Sequence, residues 1–174
     1  MTRAQRQTRH AAGAVWLLAC LILVPAAGMA QQTLPMLGDV QQIAAGAWHT
    51  CALKQSGAVL CWGRNDRGQL GDGSTADRPL PAQVVGLDAG VIAIAAGESH
   101  SCAAMDDGSV RCWGANQLGQ LGNGETSFAA VSIPVPVAGL GSVRTLSLGD
   151  AFSCALRSDD SLWCWGDSSF GQIA

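Results

Sequence analysis

The stretch C-A-L-K-Q-S-G-A-V-L-C-W-G-R-N-D-R-G-Q-L-G-D-G, residues 51–73, recurs as C-A-A-M-D-D-G-S-V-R-C-W-G-A-N-Q-L-G-Q-L-G-N-G at residues 102–124. It begins a third time at Cys154, as C-A-L-R-S-D-D-S-L-W-C-W-G-D-S-S-F-G-Q-I-A, residues 154–174. The offsets are 51 and then 52 residues. A fixed period of this size marks a solenoid, a propeller or an array, in which each unit buries its apolar face only by stacking on the next. Inside the unit, residues 49–54 and 58–63 flank Gln55-Ser56-Gly57. That pattern predicts a hairpin with a three-residue loop and Gly57 in the left-handed position. The second copy turns on Asp106-Asp107-Gly108 and the third on Ser158-Asp159-Asp160. There an aspartate takes the glycine's place, at a modest cost.

Counting back from the turn sets Lys54 opposite Ala58, Leu53 opposite Val59 and Cys51 opposite Cys61. The same count pairs Cys102 with Cys112 and Cys154 with Cys164. Opposed residues of an antiparallel pair have Cα atoms about 4.5 or 5.5 Å apart, within reach of a disulfide. Three bonds are therefore predicted, one per hairpin. Each closes a loop of about 11 residues, worth up to about 3 kcal/mol on the chain-entropy account. Free buried thiols are one competing reading. A metal centre using His49-x-Cys51 and His100-x-Cys102 is the other. Against metal, the third copy carries Phe152 in place of the histidine, and no C-x-x-C occurs. Structural zinc sites favour two to four residues between paired cysteines.

Further out, residues 40–45 and 91–96 read as strands, each followed by a glycine, Gly46 or Gly97. Residues 65–76 read as a long surface loop. Residues 78–85, with Pro79 and Pro81, suit an edge strand, where proline is tolerated. Residues 133–137 are their counterpart in the second copy. Each unit thus offers about four short strands, and beyond the N-terminal 30 residues no segment of useful length has a helical period.

The N-terminus differs from the rest. Arg3, Arg6 and Arg9 precede an apolar run at residues 11–24, then Pro25 and Gly28-Met29-Ala30. This is the pattern of a secretory signal peptide cleaved before Gln31. The run is shorter than the roughly 20 residues of a membrane helix. Leu17-Leu18-Ala19-Cys20 resembles a lipidation signal, although the apolar residues 21–24 after it argue against a soluble tether. Residues 1–30 are accordingly assigned to the signal peptide and 31–39 to a linker. Repeat one spans 40–90, repeat two 91–142 and a partial repeat three 143–174. The whole chain has a net charge of −3, and residues 31–174 carry 7 Lys+Arg against 13 Asp+Glu. A nucleic-acid partner would call for a basic patch, and none is visible. Export to the periplasm, cell surface or medium permits disulfides, and six cysteines remain after processing, as three pairs.

The W-G-x-N-x-x-G-Q-L-G core at residues 62–71 and 113–122, preceded by H-T-C-A-L and H-S-C-A-A, resembles the repeats of the regulator of chromosome condensation family. The resemblance covers residues 40–174. It implies an all-β fold, an incomplete β-propeller of about three four-stranded blades, where the family usually has seven. The paired cysteines look like those of its exported bacterial branch. Trp62, Trp113 and Trp165 suit packing between neighbouring blades. Gly63, Gly68, Gly71, Gly114, Gly119, Gly122, Gly166 and Gly171 suit sharp turns. Trp163 replaces Leu60 and Arg111 and falls outside the pattern. The family's guanine-nucleotide exchange on a nuclear GTPase finds no residues here to carry it. Propellers close with about four to eight blades, so two full repeats and a partial one leave two faces open. A fragment of a larger propeller, a truncated product and an oligomer that completes the ring are the three expectations.

Little in the sequence suggests catalysis. His49 and His100 hold the same place in their repeats and read as hydrogen-bonded blade residues. No third group completes a Ser/His/Asp set. Asp106-Asp107 and Asp159-Asp160 sit in turns, where aspartate is good turn chemistry. G-Q-L-G-D-G lacks the lysine of a phosphate-binding loop. Asp66, Asp72, Asp77 and Glu125 do not follow the 12-residue calcium pattern. No enzyme activity, cofactor or metal is expected. The expected role is an exported interaction module that binds an unidentified protein. Its contacts are sought where the copies differ: Trp48, Arg64, Arg67, Glu98, Gln117 and Leu118. The alternative is an inhibitor of an extracellular enzyme, as the resemblance to secreted inhibitors of β-lactamases implies. An active site in a central channel is a further, weaker reading.

Overall fold

The computed structural model describes residues 37–173. The signal peptide, the Cys20 lipidation signal and linker residues 31–36 lie outside them. Eleven strands form three antiparallel sheets, and no helix occurs among the described residues. The first sheet holds β1 (Val40–Ala45), β2 (His49–Lys54), β3 (Val59–Gly63) and β4 (Arg78–Gln83). The second holds β5 (Val91–Ala96), β6 (His100–Met105), β7 (Val110–Asn116) and β8 (Ser127–Pro136). The third holds β9 (Val143–Leu148), β10 (Phe152–Arg157) and β11 (Leu162–Gly166). In each sheet the strands lie side by side in chain order. β5 lies against β1 and β2, and β9 lies against β5 and β6. The first strands of the three sheets therefore surround a common axis, and the sheets are three blades of an open propeller.

The core lies between the blades rather than inside one. Leu53, Val59, Leu70 and Leu87 of the first blade meet Val91, Ile94 and Trp113 of the second. Val110, Leu121 and Leu140 of the second meet Val143 and Ala155 of the third. A single twisted sheet has two faces to cover, so each blade depends on its neighbours to bury its apolar contacts. Gln42 adds a polar stitch between the first two blades: its amide donates to Ile94 O at 2.9 Å and accepts from Ile94 N at 3.0 Å.

Hairpin register places Leu53 opposite Val59 and Cys51 opposite Cys61, and Cys102 and Cys154 face Cys112 and Cys164 in the same way. All three pairs are bonded, with Cα atoms 4.1 Å apart. The turn glycines take φ of 82° at Gly57 and 84° at Gly108, and Asp160 stands in for them at 65°. β8 is longer than the five residues expected, starting at Ser127. It keeps pace with β7 through register shifts on both sides of Gly114. These bulges bend the outer strand, and its prolines are tolerated because it lies at a sheet edge.

Candidate functional site

The W-G-x-N-x-x-G-Q-L-G segment folds around two amide side chains. Buried Asn65 accepts from Leu70 N at 2.9 Å and donates to Ser74 O and Ala76 O at 3.1 and 3.0 Å. Asn116 does the same with Leu121 N and Glu125 O, at 3.1 and 3.0 Å. The glutamine four residues on braces the turn from below. Gln69 Oε1 accepts from Arg67 N at 2.8 Å, Gln120 Oε1 from Leu118 N at 2.9 Å, and Gln172 Oε1 from Phe170 N at 2.8 Å. With the backbone satisfied from below, the braced residue is turned outward. Leu118 is 51% exposed and Phe170 93%. Phe170 was not legible as a surface residue, because an aromatic in a repeat core ordinarily packs inside.

The main chain of the same glutamine joins one blade to the next. Gln69 O accepts from Ser101 Oγ at 3.0 Å and from Trp113 Nε1 at 2.8 Å. Gln120 O accepts from Ser153 Oγ and Trp165 Nε1, both at 2.9 Å. Each serine also meets the preceding blade's histidine: His49 Nε2 lies 2.8 Å from Ser101 Oγ, and His100 Nε2 lies 2.9 Å from Ser153 Oγ. A hydroxyl has one proton to give. It goes to the carbonyl, so each histidine donates from Nε2 and stays neutral. Its Nδ1 is buried with no hydrogen-bond partner. Burial pushes His49 down to about 4. It pushes His100 down to about 3, with His49 as a smaller second cause. The histidines are thus parts of the blade joint. The joint's other members, Ser101, Ser153, Gln69 and Gln120, were missed in the sequence, where only their shared spacing marks them.

The structural residues fall around this joint. Trp113 is fully buried and packs over Gly71, and Trp165 packs over Gly122. Trp62 and Trp165, each with a neighbouring blade on one side only, are half-buried. Gly114 lies against the backbone of His100, with φ 109°.

On the loop face, Arg64, Arg67, Glu98, Gln117 and Leu118 line one cleft of about 310 Å³, with Asp150 and Ala151 on the third blade's side. Trp48 stands beside it, 64% exposed, and its carbonyl accepts from Arg64 N at 2.9 Å. Arg64 pairs with Asp66 at 2.6 Å. This hydrogen bond holds the Asp66 carboxyl below its ordinary range and raises the Arg64 guanidinium. Glu98 and Asp150 also line the opening on the axis, where Ala45, Ala96 and Leu148 end their strands. Among the described residues, no three His, Cys, Asp or Glu side chains stand close enough to hold a metal.

Antiparallel meanders around an axis, two of four strands and one of three, joined by a repeated serine–tryptophan–carbonyl latch, define a β-propeller of sequence-repeat type. The regulator of chromosome condensation (RCC1) repeat matches residues 56–104 and 107–156. A second form of that repeat matches 40–69, 91–120 and 143–172. The chain belongs to the regulator of chromosome condensation repeat family. It is 34% identical over 133 residues to the ultraviolet-B receptor UVR8 of Arabidopsis thaliana, covering 75% of this chain and 30% of the receptor. The crystal structure of human WBSCR16 superposes with a TM-score of 0.67 at 29% identity, covering 73% of this chain and 33% of that one. Yeast RCC1 (Prp20), solved bound to Kap60, gives 0.67 at 24% identity over 75% of this chain and 32% of that one, a likeness of fold. The chain spans about a third of the length of each of these relatives.

Proposed function

We propose that this chain is an exported interaction module that grips a protein partner with its loop face and performs no chemistry on it. The supporting observation is that five of the six residues singled out for variation between copies line a single cleft, with exposed Trp48 beside it. Rigid blades hold those loops, and binding residues are disproportionately found on loops held by a rigid scaffold. Exposed tryptophan and arginine are the residue types that anchor interfaces. The three cysteine pairs fit an oxidising compartment, in line with the signal-peptide pattern at residues 1–30. Affinity capture from the medium with wild-type protein should retain a partner that the Trp48→Ala/Leu118→Asp variant loses. Equal retention by both overturns the loop-face reading. N-terminal sequencing of exported protein should begin at Gln31, whereas a retained Met1 overturns the export reading.

A further inference from the structure

The loop after Trp113 sets Asn123 before Gly124, where the matching loop of the first blade sets Asp72 before Gly73. The two side chains are held alike. Asn65 Nδ2 donates to Asp72 Oδ1 at 3.1 Å, and Asn116 Nδ2 donates to Asn123 Oδ1 at 3.1 Å. A main-chain N–H is the second donor in each loop, Ser74 N at 3.0 Å and Glu125 N at 3.2 Å. An atom that receives two N–H groups is the oxygen of the Asn123 amide, not its nitrogen. Asn116 is itself fixed, since its Oδ1 accepts from Leu121 N and its Nδ2 also reaches Glu125 O. Asn123 is half-buried, and its Nδ2 meets no protein acceptor among the described residues.

We propose that Asn123 is a self-modification site, where the Gly124 nitrogen attacks the side-chain amide and the asparagine becomes an acidic residue. The bond from Gly124 N to Cγ forms as that nitrogen gives its proton to solvent base. The Cγ–Nδ2 bond breaks, and the nitrogen takes a proton from solvent and leaves as ammonia. Water then opens the cyclic imide, at Cγ to give aspartate or at the main-chain carbonyl to give isoaspartate. Negative charge develops on Oδ1 during the attack, where the Asn116 amide and Glu125 N–H already point. Donors preset at such an atom lower the barrier. The leaving nitrogen is tied to nothing. Around Gly124 there is room, since a Cβ there would meet nothing within 4 Å, and its φ of 86° is one that glycine adopts freely.

The first blade shows that an aspartate fits. Asp72 keeps the two donors and takes Arg78 Nε on its other oxygen at 2.7 Å. Residues 123–131 contain no Lys or Arg, so a new carboxylate at position 123 has no cation in its own segment. It adds charge to the loop that also presents Leu118, and such a change acts through local electrostatics. Isoaspartate instead adds a main-chain carbon between the two groups that Asn116 holds, Asn123 Oδ1 and Glu125 O. The other two asparagines of the chain, Asn65 and Asn116, are buried and precede Asp66 and Gln117. They serve as internal controls.

Peptide mapping by mass spectrometry, after the oxidised chain has stood in mildly alkaline buffer, tests the proposal. The peptide holding residue 123 should gain the mass of an amide-to-acid exchange well before those holding Asn65 and Asn116. Asn116→Ser removes one donor to Oδ1 and should slow the exchange by about tenfold, the worth of one hydrogen bond to a developing charge. A synthetic peptide of residues 116–131 supplies the rate without the fold, and the folded wild-type chain should exceed it. A folded chain that keeps Asn123, or converts it no faster than the peptide, overturns the proposal. So does an Asn116→Ser chain that converts at the wild-type rate.

Discussion

The second and third blades share one sequence unit and differ in their surroundings. The second is covered on both sides. All six residues of β6 are buried, and Trp113 is inaccessible to solvent. The third is covered on one side. In β10 only Ser153 and Ala155 are buried, Trp165 is half-buried, and Leu162 and Trp163 are exposed. The Cys102–Cys112 bond lies in the core, whereas both cysteines of Cys154–Cys164 are half-exposed. The motif W-G therefore does not carry a fixed stability. Part of what stabilises a blade comes from the next one, as in repeat proteins whose stability sums unit and neighbour terms.

That comparison can be broken most sharply at its tryptophans. Trp113→Ala should cost about 3–5 kcal/mol by chemical denaturation, the range for a fully buried aromatic. Trp165→Ala should cost clearly less, and equal costs would show that neighbours contribute nothing. Acidification comes next. A histidine whose folded value lies below 6.5 takes up a proton on unfolding, so its destabilisation is absent above pH 6.5 and grows as pH falls. With His49 held near 4 and His100 near 3, each should cost on the order of 3 kcal/mol by pH 4. His100→Phe, which copies the third blade, should flatten the pH profile of urea denaturation. An unchanged profile sinks the neutral-latch reading.

Partial reduction followed by alkylation and mass spectrometry should label Cys154 and Cys164 several-fold sooner than the four buried cysteines. Uniform labelling would remove the difference between blades. The smallest effect is expected at Asp160, whose φ is 65°. Asp160→Gly should stabilise by about 1 kcal/mol. The exposed Arg144–Asp160 pair lost with it matters little. A destabilised variant would mean that the third turn is held by its side chain.

The period, the strands flanking each turn and the cysteine register were legible because they are properties of one unit read along itself. The latch was not. Its acceptor is the main-chain carbonyl of Gln69, which no side-chain pattern advertises, and its donor Ser101 lies 32 residues away on another blade. The histidines were legible as hydrogen-bonded blade residues because both hold the same place in their repeats, but the serines they meet were not. The candidate loops were found by asking where the copies differ. Their convergence on one cleft depends on stacking, which spacing alone does not describe.

The amide brace has a consequence for how such a chain can change. At one position of one loop it presents arginine in the first blade, leucine in the second and phenylalanine in the third, all exposed. A cation, an aliphatic and an aromatic group stand on the same pedestal, and the hydrogen bonds beneath it involve none of their side-chain atoms. The exposed side chain and the fold beneath it are thereby written in separate letters. Codons 67, 118 and 170 can be reassigned to meet a new surface while the sheets beneath them stay as they are.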